Sequence, residues 1–463
     1  MKRIFLLLFT ALLLLPVGLF GGSLDYLTNQ SARWLMTPTR NAATDAADIV
    51  NYNPAGTVFL PLGWNIDISN QTLFKWYGND TTLTPGGGGP FLTGSDKSLK
   101  QDLPTWYLPN IYFAYNLGRT GPGKLALYGQ LGITAGGGNL KYEDGTAGTT
   151  FALNGLRAAI MGGRFAPGLP IGMDIGAITS QSFEASSVYY GIAVGGAYSL
   201  LDDMASVSLG GRLLMPRRSF SLESSFANDK SFSAEFEYNA YGFTPIIGFD
   251  VKPTDGLTLA FRYEFETALK FEYEEKSVND SYGGGITRAF LTSQGLTDGK
   301  KFNQNLPHSF FLGAEYDVTN DFTVSLAGNI YLLSSASMNG TEDYFGTGYE
   351  IGLGATYKIV KDVKLGFGVF YTETGAKDSY FNSSSTALNA SGNPTLDSIA
   401  FGLGGTYSFT SGFDATLSFL YCHYLPVDYS ITAYNTNNQP IYTVDGTYKK
   451  DVLEIGIGVG YKY

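Results

Sequence analysis

The chain has 463 residues, among them 59 Gly, 32 Tyr and 32 Phe, and charged residues make up only 15%. Mean hydropathy is close to zero, which excludes a bundle of membrane helices, and the scarcity of charge is unlike an ordinary soluble domain. The formal charge of −11, which becomes −13 without Lys2 and Arg3, argues against nucleic acid, and a lone Cys422 leaves no intramolecular disulfide and no zinc cage.

Residues 1–22 read as a cleaved secretory signal. Lys2 and Arg3 start it, Ile4 to Leu15 form its apolar core, and small residues end it. The apolar stretch is short for an anchoring helix, and no later run of about 18 apolar residues inserts as one. Residues 23–62 follow no strand pattern; they carry a run of small, helix-compatible residues from Asn41 to Ile49, then Asn53-Pro54-Ala55-Gly56.

From Gly63 onward the pattern has period two. In the last segment Leu453, Ile455, Ile457, Val459, Tyr461 and Tyr463 share one face, and Glu454, Gly456, Gly458, Gly460 and Lys462 share the other. An apolar row ending in aromatics suits lipid, and a row of Gly and charge suits a lumen. Fourteen such segments start near Gly63, Pro104, Lys124, Phe183, Met204, Ser231, Gly256, Lys301, Asp321, Tyr349, Asp362, Thr395, Gly412 and Thr447. The connections between them alternate short and long, with long ones at residues 77–103, 136–182, 274–299, 334–347, 373–394 and 430–445. This predicts an all-β fold: a transmembrane antiparallel β-barrel of about 14 strands over residues 63–463, preceded by a small hatch over residues 23–62. Short turns would face the periplasm and long loops the outside of a diderm cell. The expected partners are the outer-membrane bilayer and the barrel-assembly machinery, for which Tyr463 is the expected signal, and a monomer is expected.

The hatch region resembles that of the FadL-like family, the long-chain fatty acid and aromatic hydrocarbon channels of the outer membrane. The resemblance rests on Ser31-Ala32-Arg33, Ala43, Asp45-Ala46, and Asn53-Pro54-Ala55-Gly56 followed by Leu60. It extends to Leu108-Pro109-Asn110, to Gly136-Gly137-Gly138-Asn139-Leu140 with Tyr142 and Gly145, and to Tyr190-Gly191 through Gly196-Ala197-Tyr198, then Ser206 and Gly210. The resemblance implies a lumen closed by the hatch, a hydrophobic ligand inside, and a kinked third strand with a sideways path to lipid. One departure is the longest loop, which lies between the third and fourth strands rather than later. Its Leu153, Leu156, Ile160 and Met161 would form an apolar helical stripe that either lines a substrate groove or packs on the barrel, with Ile286, Phe290 and Leu291 of another loop able to meet it.

Parity sends nine apolar or aromatic residues inward: Leu73, Tyr112, Tyr128, Leu214, Ile246, Phe311, Tyr331, Phe370 and Leu420. They either line a site for a hydrophobic small-molecule ligand or pack against the hatch. Arg212, Arg217 and Arg218 are candidate head-group anchors; the alternative is a lumen ion pair with Glu264 or Glu315. Gly136, Gly137 and Gly138 either kink the third strand or start a loop. His308 and His423 point outward by parity, so no catalytic constellation is expected, nor any metal or cofactor. The expected function is passive uptake of hydrophobic molecules, with a structural or adhesive barrel, or a general porin, as the alternative.

Overall fold

The computed structural model describes residues 30–87, 95–161, 175–281, 286–293, 296–435 and 437–463. The expected signal, residues 1–22, lies outside the described residues. Among the described residues no helix is long and apolar enough to cross a membrane. Nineteen strands form a single closed sheet, in which they line up as fourteen antiparallel staves.

Stave one is β1 (Gly63–Pro85), and stave two is β2 (Ser95–Gln101) followed by β3 (Thr105–Thr120). Staves three to five are β4 (Gly123–Tyr142), β5 (Ile178–Leu200) and β6 (Ala205–Phe226). Stave six divides into β7 (Lys230–Asn239) and β8 (Gly242–Thr254), and stave seven into β9 (Leu257–Glu264) and β10 (Lys270–Asp280). Stave eight comprises β11 (Lys301–Asn303) and β12 (Ser309–Asp317). Staves nine to twelve are β13 (Phe322–Tyr331), β14 (Gly348–Val360), β15 (Val363–Glu373) and β16 (Ser398–Ser408). Stave thirteen is β17 (Phe413–Tyr424) with β18 (Val427–Tyr434), and stave fourteen is β19 (Pro440–Lys462). The ring closes where β1 pairs with β19, from Asn65 opposite Lys462 to Pro85 opposite Tyr442.

A belt of exposed apolar side chains, including Ile68, Leu127, Val194, Leu209, Leu353, Leu403 and Ile457, runs round the outside. Exposed aromatics bound it on both sides: Trp64, Tyr115, Tyr316, Tyr357 and Tyr407 toward the short turns, and Trp76, Tyr190, Tyr241, Tyr349 and Tyr421 toward the long loops. Such girdles mark the two membrane–water boundaries of a barrel. The longest staves outrun this belt. β1, β5 and β19 each have 23 residues, about 75 Å of strand, which at a tilt near 45° rises about 50 Å against an apolar band of about 25 Å.

Above the belt the alternation inverts. On β6 the outward residues pass from Leu209 and Leu213 to Ser219 and Ser221, while the inward ones pass from Ser208 and Arg212 to Phe220 and Leu222. On β7 Phe232, Phe236 and Tyr238 are buried while Glu235 and Glu237 face out. The cause is the solvent outside, lipid below and water above, so the same ladder carries its apolar face outward in one zone and inward in the next. This corrects the expected long connections at residues 77–103, 136–182, 274–299 and 430–445. Strand takes up most of 77–103 and 430–445 and the ends of 136–182 and the start of 274–299, and β2, β5 and β19 start at Ser95, Ile178 and Pro440, earlier than expected.

Residues 30–60 lie inside the ring. Helix α1 (Ala32–Met36) begins at Ser31, whose hydroxyl accepts from the Trp34 N–H at 3.0 Å. Three 3-10 turns follow, Arg40–Ala42, Ala47–Asn51 and Pro54–Phe59. The last is set by Pro54, whose φ suits a first helical position, and by Asn53, whose side-chain oxygen accepts from the Gly56 N–H at 3.3 Å. Longer loops fold inward at the opposite end. Helix α2 (Ala147–Met161) and helix α3 (Ile286–Ser293) precede α4 (Asp378–Asn382) and α5 (Ala387–Gly392).

The inverted alternation predicts position-dependent tolerance of charge. Leu353→Arg, at a belt position 64% exposed, should cost about 2–4 kcal/mol of folding free energy in lipid vesicles. Glu235→Arg, outward on β7 but above the belt, should stay within about 0.5 kcal/mol of wild type. Urea titration of refolded protein in vesicles measures both; equal costs would remove the distinction between the zones.

Candidate functional site

The inner segment is tied to inward-facing side chains of many staves. Arg33 bridges Asp67 on β1, at 3.3 Å, and Asp414 on β17. Arg40 binds Asp48 at 2.5 Å and Asp45 at 2.8 Å, and Asp45 also meets Lys364 on β15 at 2.8 Å. Burial pushes the Asp45 carboxyl up, but Arg40 and Lys364 beside it hold it well below the usual carboxylate range, so the Asp45 pairs with Arg40 and Lys364 stay charged at neutral pH. Asn53 Nδ2 donates to Asp250 Oδ2 on β8 at 2.8 Å, and Ser206 Oγ on β6 donates to the Ala55 carbonyl at 2.8 Å. The sequence Asn53-Pro54-Ala55-Gly56 is therefore a docking point: Asn53 caps its own turn with one amide atom and grips the wall with the other.

All nine apolar residues assigned inward by parity are buried, but they do not form one site. Tyr112 and Tyr128 pack with Ile49, Val50 and Val58 of the inner segment. Phe370 meets Trp34 edge-on, with ring centroids 5.5 Å apart. Phe311 lies under the Arg262 guanidinium, 3.8 Å from its carbon to the ring centroid, and Tyr331 donates to Glu350 at 2.7 Å. Leu73 and Leu420 belong to the same large interior cluster as Phe311, Tyr331 and Phe370, and Leu214 and Ile246 lie on the inner faces of β6 and β8. Packing against the inner segment is thus the arrangement found for Tyr112, Tyr128 and Phe370.

The three arginines part company. Arg212 makes a two-pronged pair with Glu264, both bonds 2.9 Å, the ion-pair arrangement of the two alternatives. Arg217 is a correction: it is exposed on the outer face of β6 just above the belt, because neighbouring strand residues point to opposite faces, and so cannot anchor a ligand in the lumen. Arg218 is buried. It bonds the Gln304 side-chain oxygen at 3.0 Å and the Tyr189 hydroxyl, and its guanidinium carbon lies 5.2 Å from the Tyr189 ring and 5.1 Å from the Phe271 ring.

Gly136, Gly137 and Gly138 lie within β4, not in a loop. Pairing of β3 with β4 ends where Asn110 faces Gly132. On its other side β4 stays paired with β5 up to Tyr142 opposite Phe183, but its register shifts between Ile133 and Ala135 and again between Ala135 and Gly138. Gly136 and Gly138 take φ of +97° and +70°, and a Cβ on Gly136 would strike the Ser187 carbonyl. No other residue fits such a bulge without strain. The result is a gap in the backbone ladder between staves two and three.

Behind the gap lies a small pocket with a cavity volume of about 20 Å³. The three glycines, Tyr77, Leu140, Tyr189, Arg218 and Leu306 line it. Next to Arg218 stands a set of stacked and edge-on rings, Tyr238, Phe271, Tyr273 and Phe302, with centroids 4.7–5.9 Å apart. None of the nine parity residues lines this pocket. The rings beside it belong to the inverted zone, where apolar residues face in. The signal available in the sequence was the change of phase along 218–238, with Phe220, Leu222, Phe232, Phe236 and Tyr238 facing inward.

The helices close the far end. Leu153, Leu156 and Ile160 of α2 are buried, so the stripe packs into the barrel mouth. The Tyr442 hydroxyl donates to the Phe151 carbonyl at 2.8 Å, and the Thr146 and Ser391 hydroxyls bond at 2.9 Å. The side chains of Met161, Ile286 and Phe290 lie outside the described residues; Leu291 is buried.

Asn53→Ala removes both the turn cap and the hold on Asp250. The barrel should still form and show heat-modifiable migration in gels, while ion conductance in planar bilayers rises; unchanged conductance would mean that this contact does not close the lumen.

No family model matches the chain, and no curated protein matches it in sequence. Solved structures do match in fold. A FadL homologue from Pseudomonas aeruginosa aligns at TM-score 0.64 and 14% identity, over 96% of this chain and 99% of that one. The toluene transporter TodX of Pseudomonas putida aligns at TM-score 0.55 and 12% identity over 94% and 99% of the two chains, and the monoaromatic hydrocarbon channel CymD at 0.53 and 10% over 94% and 98%. With fourteen staves closed into a ring, the chain has the fold of the FadL homologue and of these hydrocarbon channels.

Proposed function

We propose that the protein is an outer-membrane channel for passive uptake of hydrophobic molecules that carry an anionic head group, long-chain fatty acids above all. The observation that carries this reading is the gap between β3 and β4 with an apolar, cation-bearing pocket directly behind it. An open polar porin has no use for a ring-lined pocket, and a barrel serving only as a surface anchor has no use for a broken wall. The fold shared with the FadL homologue, TodX and CymD supports the same class.

Cargo would pass the α2 and α5 helices at the mouth and reach the pocket beside Arg218, next to the packed rings of Tyr238, Phe271 and Phe302. Its carboxylate would pair with Arg218, whose planar fork suits two oxygens. It would leave sideways through the gap, moving down its own gradient into lipid, so no energy source is needed. Residues 30–62 act as a hatch that keeps water and ions from following. The signal at 1–22 would be removed on export, and the mature chain would be assembled into the outer membrane as a monomer.

Two substitutions test this. A Cβ at Gly137 meets nothing within 4 Å and its φ is ordinary, so Gly137→Trp can fill the gap without straining β4. It should cut fatty-acid uptake several-fold at unchanged surface expression; wild-type uptake kinetics would rule out the sideways exit. Arg218→Met removes a charge-assisted contact of about 1.5–3 kcal/mol. Fatty-acid binding should weaken roughly 10–100-fold while binding of an uncharged alkylbenzene holds. Equal weakening of both ligands would show that Arg218 shapes the pocket without reading a head group.

A further inference from the structure

The gap leaves β4 carbonyls without ladder partners at the upper edge of the apolar belt, and side chains from the first two staves reach across to them. Asn110 Nδ2 donates to the Ile133 carbonyl at 3.1 Å. Thr105 Oγ1 donates to the Gly137 carbonyl at 2.9 Å. The third bridge is Lys75, on the inner face of β1 and 1% exposed. It stands opposite the break in stave two, between the pairs Leu73–Thr105 and Tyr77–Gln101. Its ammonium donates to the Gly137 carbonyl at 2.9 Å, the Asn139 carbonyl at 2.5 Å and Thr105 Oγ1 at 2.9 Å. Carbonyl and hydroxyl oxygens suit an ammonium, which can only donate.

We propose that Lys75 is a latch that holds β4 against stave two across the gap, and that an anionic head group in the pocket releases it. This rests on the sideways exit proposed above. A buried Lys is costly unless fully hydrogen-bonded, and an inward position on a strand could as well hold an apolar residue. Here the charge stands where the ladder is broken, and it ties two points of one edge to the neighbouring stave. One of its tethers, Gly137, also lines the pocket. A carboxylate arriving beside Gly137 competes with neutral carbonyls for the same ammonium, and charge-assisted bonds are roughly twice as strong as neutral ones. Once the ammonium turns to the head group, the Gly137 and Asn139 carbonyls lose their tie and the edge is free to move. Neutral cargo of the same shape offers the ammonium nothing better. Lys75 would thus act in selectivity as well as closure.

Nitroxide labels at Tyr107→Cys on β3 and Asn139→Cys on β4, both exposed and on opposite sides of the gap, read its width by dipolar EPR. Cys422→Ser clears the background of the chain's single cysteine. With Lys75 intact the labels should stay close. Lys75→Met should shift the distribution to longer, broader distances without ligand, and Lys75→Arg should restore the short distance in part. If Lys75→Met fails to fold, Thr105→Val removes one acceptor and should give the same shift more weakly. Oleate added to the wild-type barrel in nanodiscs should lengthen the distance, and methyl oleate should not. An unchanged distance in Lys75→Met or Thr105→Val overturns the latch, whatever uptake does. Equal responses to oleate and methyl oleate overturn release by charge. A widened gap with unchanged fatty-acid uptake leaves the latch standing and contradicts the sideways exit instead.

Discussion

In a barrel wall facing lipid no water reaches the backbone, so each N–H and C=O has to find its partner within the protein. Closure of β1 on β19 meets this demand round the whole ring. The one place in stave three where the ladder stops, above Gly132, is the place where the wall recruits Asn110, Thr105 and Lys75 as substitutes. The glycine bulge, the buried ammonium and the pocket behind them are consequences of a single local exception to that demand. Removing the exception would give a more regular barrel wall.

The second organising fact is a change of solvent along the same strands. Within the belt the inner surface is polar and is filled by the inner segment through Arg33, Arg40, Asp45, Asp67 and Asp414. Above it, water lies outside, apolar residues turn in, and the extended staves make a cup of rings closed by α2 and α5. The gap opens at the boundary between the two zones, since Tyr190 of the upper girdle pairs with Ile133, just below the bulge.

The staves were legible in the sequence wherever lipid makes the outer row apolar, and the starts of β4, β6, β7, β11 and β14 fall within one residue of the expected positions. What escaped was the strand above the belt. There Asp80, Thr82 and Thr84 of β1 face water, and a stretch with polar outer residues reads as loop. The same blindness hid the ring-lined pocket, because parity counted from the belt gives Leu73, Tyr112 and Phe370, which lie lower. Arg217 and Arg218 were weighed together, and the pleat separates them by the full thickness of the wall. Lys75 carries no sequence signal of its own: its meaning comes from the break in stave two opposite it, which local pattern does not reveal.

The central claim is that cargo occupies the pocket behind the gap. Photo-crosslinking of the purified barrel with a diazirine-bearing fatty acid, followed by peptide mapping, tests it most directly. Adducts are predicted on residues 135–140, 185–189 and 218 and on the rings at 238, 271 and 302, and unlabelled oleate should compete them away. Adducts confined to the outward belt, or insensitive to competition, would contradict it.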